Sequence, residues 1–371
     1  MPATAFSLFL DGEAASPQLL DALQQIEVED HADLADMMRL RLSVAVDNGG
    51  SRWNLLDDGL FGRLTRLGVR VKVGSTSEPL FEGHVIDSRT EFSNSPGQSV
   101  LEVVAMDPTV LMNLDEKIRP WPDMTDSEIA ETLFGEYGFD PDVEATDITR
   151  QETDSLTMQR GTDLRFLRQL ALRNGYETFV EINAASGSIE GHFHRPRLDQ
   201  TPQGVLSVNL GPATNVNTFD ARFDMLGPAT AQVTGLDIET QEDQPGAADE
   251  ISLEEQGDSP TVASDRPRRV LLSQTGLSQT GELQTLAQAM VDRSAWAIRA
   301  EGELHTVRYG AVLRAKRPVE VRGAGRQFSG RYYVEKVVHL ITTDGYLQQF
   351  SLRRNALGLT GRERFVEDDA L

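Results

Sequence analysis

The chain has 371 residues, a formal net charge of −23 and no cysteine. The absence of cysteine excludes disulfides, thiol nucleophiles and thiolate-bound metals, and the charge argues against binding to nucleic acids or anionic membranes, whose phosphates it would repel. No apolar run approaches the roughly 20 residues needed to span a bilayer. The N-terminal residues MPATAFSLFLDG lack the basic region of a signal peptide. We therefore expect synthesis in the cytoplasm without a signal peptide, and a fold of two or three domains.

Residues 1–112 have the pattern of short β-strands. Apolar and polar side chains alternate around Leu8, Leu40 and Val71, and a longer apolar strand follows at Val100–Met106. Segments rich in Gly, Asn and Ser separate these strands and are typical of turns. Five or six short strands with such turns predict a first small β-barrel over residues 1–112.

Residues 113–200 combine helices with a strand. Thr125 and Glu128 have the spacing of a capping box at the start of a first helix, which Gly138 ends. A second helix is predicted from Thr162 to Gly175, and alternating residues that follow it are typical of a strand. This region is predicted to be an α/β insertion domain.

The β pattern resumes in residues 201–236 and 304–358, which we predict to form a second β-barrel. Residues 237–303 between them are expected to be an acidic linker plus a helix. Ten acidic residues and no Lys or Arg lie between Asp237 and Asp265, so we expect that segment to be mobile and dispensable for folding, or to contact a basic partner subunit. Residues 359–371 are expected to be a frayed polar tail.

The two β regions share a faint internal repeat. VRVKVG at residues 69–74 is followed by Phe81-x-Gly83 and a pair of strands, and VEVRG at residues 319–323 is followed by Phe328-x-Gly330 and another pair. A glycine two residues after an aromatic side chain is typical of close strand packing at a barrel corner. We therefore predict two similar barrels.

Motifs for catalysis or ligand binding are scarce. His192 and His194 would share one face of a strand, and Asp199 could add a third metal ligand, but a satisfied histidine pair is the favoured interpretation. The sequence contains no Gly-x-Ser-x-Gly elbow and no phosphate-binding loop. We expect no catalytic residue, no cofactor, no metal and no enzymatic activity.

Two stretches carry motifs that are more specific than a strand pattern. The first contains Arg119-Pro120-Trp121, Asp163 with Phe166-Leu167, and Arg173-Asn174-Gly175; the second is GRQFSGRYYVEKVVHLITTDGYLQQFSLRRN, which starts at Gly325. Both closely resemble the hub proteins of contractile-tail baseplates, the family that includes phage late control protein D and VgrG. The resemblance covers roughly residues 67–354 without the acidic segment. It implies two similar β-barrels per chain, separated by the α/β insertion.

The resemblance also implies a function and partners. It predicts a structural baseplate hub of a contractile phage tail or injection system, in which a homotrimer joins a six-fold tail tube protein to a separate three-fold spike protein and contacts other baseplate components. Such a chain would end up in a virion or in an extracellular or cytoplasmic particle. The rival classes are a β-rich carbohydrate-acting hydrolase and a monomeric binding module.

Six residues are candidates for interfaces. For Trp121 and His339 a core position is the simpler interpretation, and an aromatic anchor in an interface is the functional alternative for Trp121. The candidates are Trp121, Phe81, Gly83, Phe328, Gly330 and His339.

Overall fold

A computed structural model describes residues 4–46, 50–95, 97–152, 156–236, 242–262, 266–273, 277 and 279–365. The fold is mainly β with an α/β insertion, as the sequence predicts. Thirteen strands from two separate parts of the chain belong to one sheet, and the other strands form small sheets of two or three. Among the described residues, no helix is both long and apolar enough to cross a membrane.

The first β unit is built from the first seven strands and one short helix. They are β1 (Thr4–Leu10), β2 (Glu13–Ala14), α1 (Pro17–Ala22), β3 (Leu23–His31), β4 (Met37–Ser43), β5 (Arg66–Val73), β6 (Thr76–Glu91) and β7 (Val100–Met106). Alternating side chains from six of the strands, including Leu8, Val28, Leu40, Val71 and Val103, enter one apolar cluster. Because these six strands present a face to the same core, the sheet curves around it as in a small barrel.

The α/β insertion follows a 3-10 turn at Pro108–Asn113. Its elements are β8 (Glu116–Trp121), α2 (Asp126–Glu136), β9 (Asp140–Val143), β10 (Thr157–Thr162), α3 (Asp163–Asn174), β11 (Glu177–Ile182) and β12 (Ile189–His194). The capping box of Thr125 and Glu128 is formed, and Gly175 ends α3 with a left-handed φ of 69°. Both predicted helices are therefore confirmed, since their start and stop signals are local.

The rest of the chain contains an accessory unit and a second β unit. In chain order the elements are β13 (Val205–Ser207), β14 (Val216–Phe223), β15 (Ala229–Leu236), β16 (Asp243–Ala248), β17 (Ser259–Pro260), β18 (Arg268–Ser273), α4 (Thr280–Ser294), β19 (Ile298–His305), α5 (Thr306–Tyr309), β20 (Pro318–Arg322), α6 (Gly325–Phe328), β21 (Gly330–Thr342), β22 (Gly345–Arg354) and β23 (Ala356–Leu357). Strands β15, β16 and β18 form a sheet that α4 covers, and these elements with their own apolar cluster are the accessory unit. Strands β13, β14 and β19–β22 surround another cluster.

The two β units have the same strand order. In the first, the sheet runs β3-β4-β7-β6-β5-β1, and in the second it runs β14-β19-β22-β21-β20-β13. When the six strands of each unit are numbered in chain order, their order across the sheet is the same in both units. The pairing of the outermost strand differs, because β1 is antiparallel to β5 whereas β13 is parallel to β20.

Local irregularities also repeat. A bulge lies between Val85 and Asp87 in β6 and between Val334 and Lys336 in β21. At the bulge, Val85 exchanges two backbone hydrogen bonds with Leu64 and Thr65, and Val334 exchanges two with Lys316 and Arg317. Leu64 (φ 63°) and Lys316 (φ 66°) are both left-handed, which is uncommon for residues other than glycine. The internal repeat is therefore present in strand order, bulge and backbone conformation.

The two Phe-x-Gly motifs are not equivalent positions in this repeat, which corrects the sequence interpretation. With the bulges aligned, Gly83 corresponds to Tyr332, whereas Gly330 corresponds to Phe81. Phe81 lies inside β6, but Phe328 lies in the short helix α6 before β21. The motif occurs twice by coincidence of spacing, because a strand pattern constrains which face a residue occupies more than its place along the strand.

The acidic segment is not a mobile linker where the structure describes it, at residues 242–262; residues 237–241 and 263–265 lie outside the described residues. Strand β16 pairs with β15, and a Cβ on Gly246 would lie 2.3 Å from the backbone of α4. Ser252 donates two hydrogen bonds to Asp292 on α4. Small residues let the helix backbone approach closely, so the segment packs with few large apolar side chains.

The predicted domain boundaries change accordingly. Residues 229–236, assigned to the second barrel, belong to the accessory sheet as β15, and the second β unit already resumes at β19. The expected tail is described up to residue 365, and residues 366–371 lie outside the described residues. The accessory unit is inserted between β14 and β19, the second and third strands of the second β unit, which are neighbours in the sheet.

Replacing residues 242–262 by a Gly/Ser linker should lower the melting temperature by more than about 8 °C, several kcal/mol at this chain size. The replacement removes the β16 pairing and the hydrogen bonds to Asp292. Thermal unfolding followed by circular dichroism measures this change. The matched control is Asp249→Asn with Glu250→Gln, two exposed carboxylates in the same segment, which should leave the melting temperature unchanged. Equal melting temperatures for wild type and replacement would restore the mobile-linker interpretation.

Candidate assembly interface

The two β units meet along a backbone seam. Residues Lys336–Thr342 of β21 pair antiparallel with Gln25–His31 of β3. The same edge of β21 is covered nearer its start by β20, which pairs with Gly330–Tyr333. One long strand thus takes part in both units, and the seam makes their sheets continuous.

Two other strand edges correspond to this seam but have no partner strand among the described residues. Strand β14, the counterpart of β3, pairs only with β19. Strand β6, the counterpart of β21, pairs with β5 only as far as His84, which leaves one edge of Asp87–Glu91 free. Unpaired backbone donors and acceptors on an edge are a template for another strand.

A buried ionic cluster lies beside the seam. The Nζ atom of Lys316 lies 2.7 Å from Oδ1 of Asp30 and 2.9 Å from Oδ2 of Asp36, and its side chain is only 2% exposed. Arg314 also contacts Asp30, with Nε 3.2 Å from Oδ2. Glu181 of the insertion pairs with Arg317 at 2.8 Å. The cluster therefore joins the first β unit, the second β unit and the insertion.

The charges in this cluster depend on one another. Burial by itself would raise the pKa of Asp30, but the attraction of Lys316 and then of Arg314 outweighs it and holds that pKa well below its usual range. Burial would lower the pKa of Lys316, and the carboxylates of Asp30 and Asp36 raise it instead. Burial raises the pKa of Asp36 to about 8, aided by the neighbouring carboxyls of Asp30 and Asp107 and opposed by Lys316. Asp30 and Lys316 thus form the ionised pair.

A second buried bridge links the insertion to the second β unit. Tyr333 donates a hydrogen bond of 2.6 Å to Oε2 of Glu177, and Arg353 pairs with the other oxygen of the same carboxyl group. Burial raises the pKa of Glu177 to about 7 despite the opposing charge of Arg353. Arg353 also pairs with Asp33 of the first β unit at 2.9 Å. This bridge and the Lys316 cluster fix the orientation of the three units.

The histidine pair lies in a network with an acid other than the predicted one. Ligand atoms of His192, His194 and Asp142 lie within 4.8 Å of one another, so Asp142 rather than Asp199 completes the group. Arg197 donates two hydrogen bonds of 2.7 Å to Asp142, and Nδ1 of His192 lies 3.0 Å from the same carboxylate. Burial lowers the pKa of both histidines, that of His194 to about 4. Arg197 already neutralises the carboxylate, while Nε2 of His192 is buried without a hydrogen-bond partner.

Three interface candidates lie in cores. Trp121 is 2% exposed, donates to Oε1 of Gln159 at 3.2 Å and packs in the core of the insertion, which leaves little ring surface for a partner. Phe81 belongs to the first apolar cluster. A Cβ on Gly83 would lie 2.2 Å from the carbonyl oxygen of Met106, so that glycine permits a close strand approach.

The other three candidates lie in the second β unit. Phe328 packs half-buried on its core, and Gly330, with φ +133°, lies beside the guanidinium group of Arg354. His339 is fully buried, and its backbone is part of the seam with β3. Its Nδ1 lies 2.8 Å from the hydroxyl of Tyr346, and burial lowers its pKa to about 3, helped by Arg314. Of the six candidates, His339 alone contributes backbone to a junction between units.

Sequence reasoning missed the residues that hold the junction. Lys316 and Arg314 lie in a short charged run before Pro318, which is typical of an exposed loop. Asp30 follows Ile26 and Val28 at steps of two, so strand alternation places it on the core face, and this was the available signal for a buried carboxylate. The left-handed Lys316 carries no local signal comparable to a glycine.

The fold is similar to that of solved tail proteins and of a type VI secretion component. A 43 kDa tail protein of prophage MuSo2 from Shewanella oneidensis superposes with a TM-score of 0.66 at 14% identity, over 95% of this chain and 98% of that one. A tail protein from Neisseria meningitidis MC58 gives a TM-score of 0.65 at 11% identity, over 95% and 97% of the two chains. A type VI secretion component of E. coli, described as similar to T4 bacteriophage tail proteins gp27 and gp5, gives 0.56 at 11% identity, over 97% and 80%.

The sequence itself places the chain in one family. The family described as the Alg8 N-terminal domain matches residues 5–343, and the chain belongs to it. No curated protein sequence matches this chain.

Lys316→Met should destabilise the protein by about 3–5 kcal/mol, because it leaves Asp30 and Asp36 buried without their cation. Adding Asp30→Asn to that variant should recover part of the loss, since it removes the buried carboxylate charge that Lys316 compensated. Urea unfolding measures both changes. Lys72→Met, at an exposed position of β5, is the control and should change stability by less than about 0.5 kcal/mol. A loss no larger than that of the control would show that the cluster does not hold the units together.

His339 should make stability depend on pH. Its folded pKa of about 3 lies below the unfolded value of 6.5, so the unfolded state binds more protons and stability is lost as the pH falls from about 6.5 toward 3. His339→Asn retains a polar atom near Nδ1 and removes the titration. The free energy of unfolding, measured for both proteins between pH 7.5 and 4.5, should fall less steeply for the variant. Parallel curves would contradict the assignment.

Proposed function

We propose that this chain is the structural hub of a contractile tail or injection system, a homotrimer that joins a six-fold tail tube protein to a separate three-fold spike protein. The observation that carries the proposal is the repeat of six strands in one order within one chain. Two equivalent units per chain let three chains present six equivalent units. A ring built in this way has the six-fold character of a tube on one face and the three-fold symmetry of its chains on the other.

The buried polar clusters support a rigid role. The Lys316 cluster and the Glu177 bridge link both β units with the insertion. A symmetry adaptor needs its two units held at one angle, since an error in that angle would prevent the ring from closing. The proposal gives the chain a structural role and no catalytic step.

The similarity to tail proteins supports the same role at the level of the fold. Identities of 11–14% carry no residue-level function, but nearly the whole length of this chain and of two tail proteins superposes. Contacts with the tube, the spike and other baseplate components, and location in a virion or an extracellular or cytoplasmic particle, are parts of the proposal. They follow from the hub role.

The purified 40.9 kDa chain should form trimers, alone or with a trimeric spike protein encoded beside it, and should then bind the cognate tube protein. Light scattering coupled to size exclusion measures the mass of the chain alone, with spike, and with spike and tube. A trimer that appears only with spike would still support the proposal, since a spike can template the ring. A chain that stays monomeric and ignores both proteins would end it.

A further inference from the structure

We propose that the free edge of β14 in one copy pairs antiparallel with the free edge of Asp87–Glu91 in the next copy, and that the contact at the centre of this junction is apolar where the corresponding contact of the internal seam is ionic. The inference rests on the proposed hub only for its ring; the pairing follows from the repeat. Each free edge is the counterpart of a strand that is already paired inside the chain. The partner that fits both edges is therefore a second copy of this chain.

The repeat fixes which residues meet. With the bulges aligned, Lys336–Leu340 of β21 corresponds to Asp87–Glu91 of β6. In the first β unit, Ile26 pairs with Leu40, and Leu40 pairs with Val103. In the second β unit, Phe219 pairs with Gly302, and Gly302 pairs with Phe350 in the same way. Strand β3 therefore maps on β14 so that Glu27–His31 corresponds to Asp220–Asp224. Transferring the internal register places Thr90 opposite Ala221 of the neighbouring copy.

The internal seam and the proposed junction differ in the chemistry at their centres. Lys316 contacts Asp30 in the internal seam, and its counterpart Leu64 shares its left-handed conformation and its hydrogen bonds to the bulge. The counterpart of Asp30 is Phe223, which is half-buried in the isolated chain. A long cation against a short anion is thus replaced by a short aliphatic chain against a long aromatic ring. Both partners change together, so each junction remains complementary.

The charged side chains on the outer face of the two edges favour some registers over others. Asp87, Arg89 and Glu91 alternate along one edge, and Asp220, Arg222 and Asp224 alternate along the other. The transferred register places three like-charge pairs directly opposite, Arg89 with Arg222, Asp87 with Asp224 and Glu91 with Asp220, which is unfavourable. It also places each arginine diagonally between two carboxylates of the other edge, within reach of a long side chain. A scan across the three opposing positions therefore tests the register directly.

The chain has no cysteine, so engineered cysteines form the only disulfides. Arg89→Cys is combined in turn with Asp220→Cys, Arg222→Cys and Asp224→Cys in the full chain, with the spike protein present and absent, and oxidised. We expect two-chain and three-chain products on a non-reducing gel, strongest for the Arg222 partner. Arg63→Cys with Arg222→Cys is the control and should give none. Products strongest at Asp220 or Asp224, or equal to the control, would overturn the transferred register.

A double-mutant cycle tests the contact between Leu64 of one copy and Phe223 of the next. Leu64→Lys and Phe223→Asp should each weaken self-association at least tenfold, because each buries one unpaired charge at the junction. The double variant recreates the pair of the internal seam and should recover most of the loss in sedimentation experiments. Leu236→Lys, at an exposed leucine of the accessory unit, is the control and should have no effect. Additive losses in the double variant would overturn the Leu64–Phe223 contact.

The outcomes separate this inference from the hub proposal. Chains that cross-link at these edges but ignore spike and tube would keep the junction and end the hub. Chains that assemble on the spike without cross-linking at any of the three positions, and whose assembly tolerates both single variants, would keep the hub and overturn the junction.

Discussion

The ammonium group of Lys316 is buried between carboxylates of the first β unit, while its own backbone belongs to the second. Neither the cation nor its partner Asp30 could remain ionised in the interior alone, because removing an ion from water costs several kcal/mol unless an opposite charge lies in contact. The two β units must therefore keep one relative position. Glu181 extends the constraint to the insertion through Arg314 and Arg317.

Three of the units and the segment that follows the insertion share a small apolar cluster as well. Ala32, Leu198, Leu253, Trp296 and Tyr333 come from the first β unit, the segment after the insertion, the accessory unit and the second β unit. Arg353 lies over the rings of Trp296 and Tyr333 while it pairs with Glu177 and Asp33. The junction therefore combines charge pairing, which sets the geometry, with apolar packing, which excludes water and strengthens the charge pairs.

The repeat explains how one chain can present two equivalent units with different accessories. The α/β insertion follows the last strand of the first unit, and the accessory unit lies between two paired strands of the second. Neither insertion changes the six-strand order, because each lies in a connection between strands and not within a run of paired residues. The units differ at the position of Leu64 and Lys316, where an equal backbone conformation carries an apolar side chain in one unit and a charge in the other.

The sequence alone determined features that depend on near neighbours along the chain. The caps of α2 and α3, the alternation of strands such as β4 and β7, and the division into β, α/β and β regions are set by local propensity and periodicity, so they were predictable. Only the tertiary structure decided that residues 242–262 of the acidic segment are ordered, that Asp142 rather than Asp199 joins the histidines, and that Lys316 lies between Asp30 and Asp36. These outcomes depend on residues tens to hundreds of positions apart. From the sequence alone, a charged residue is expected to be solvated. It becomes the centre of a junction only when folding brings opposite charges around it and removes the water.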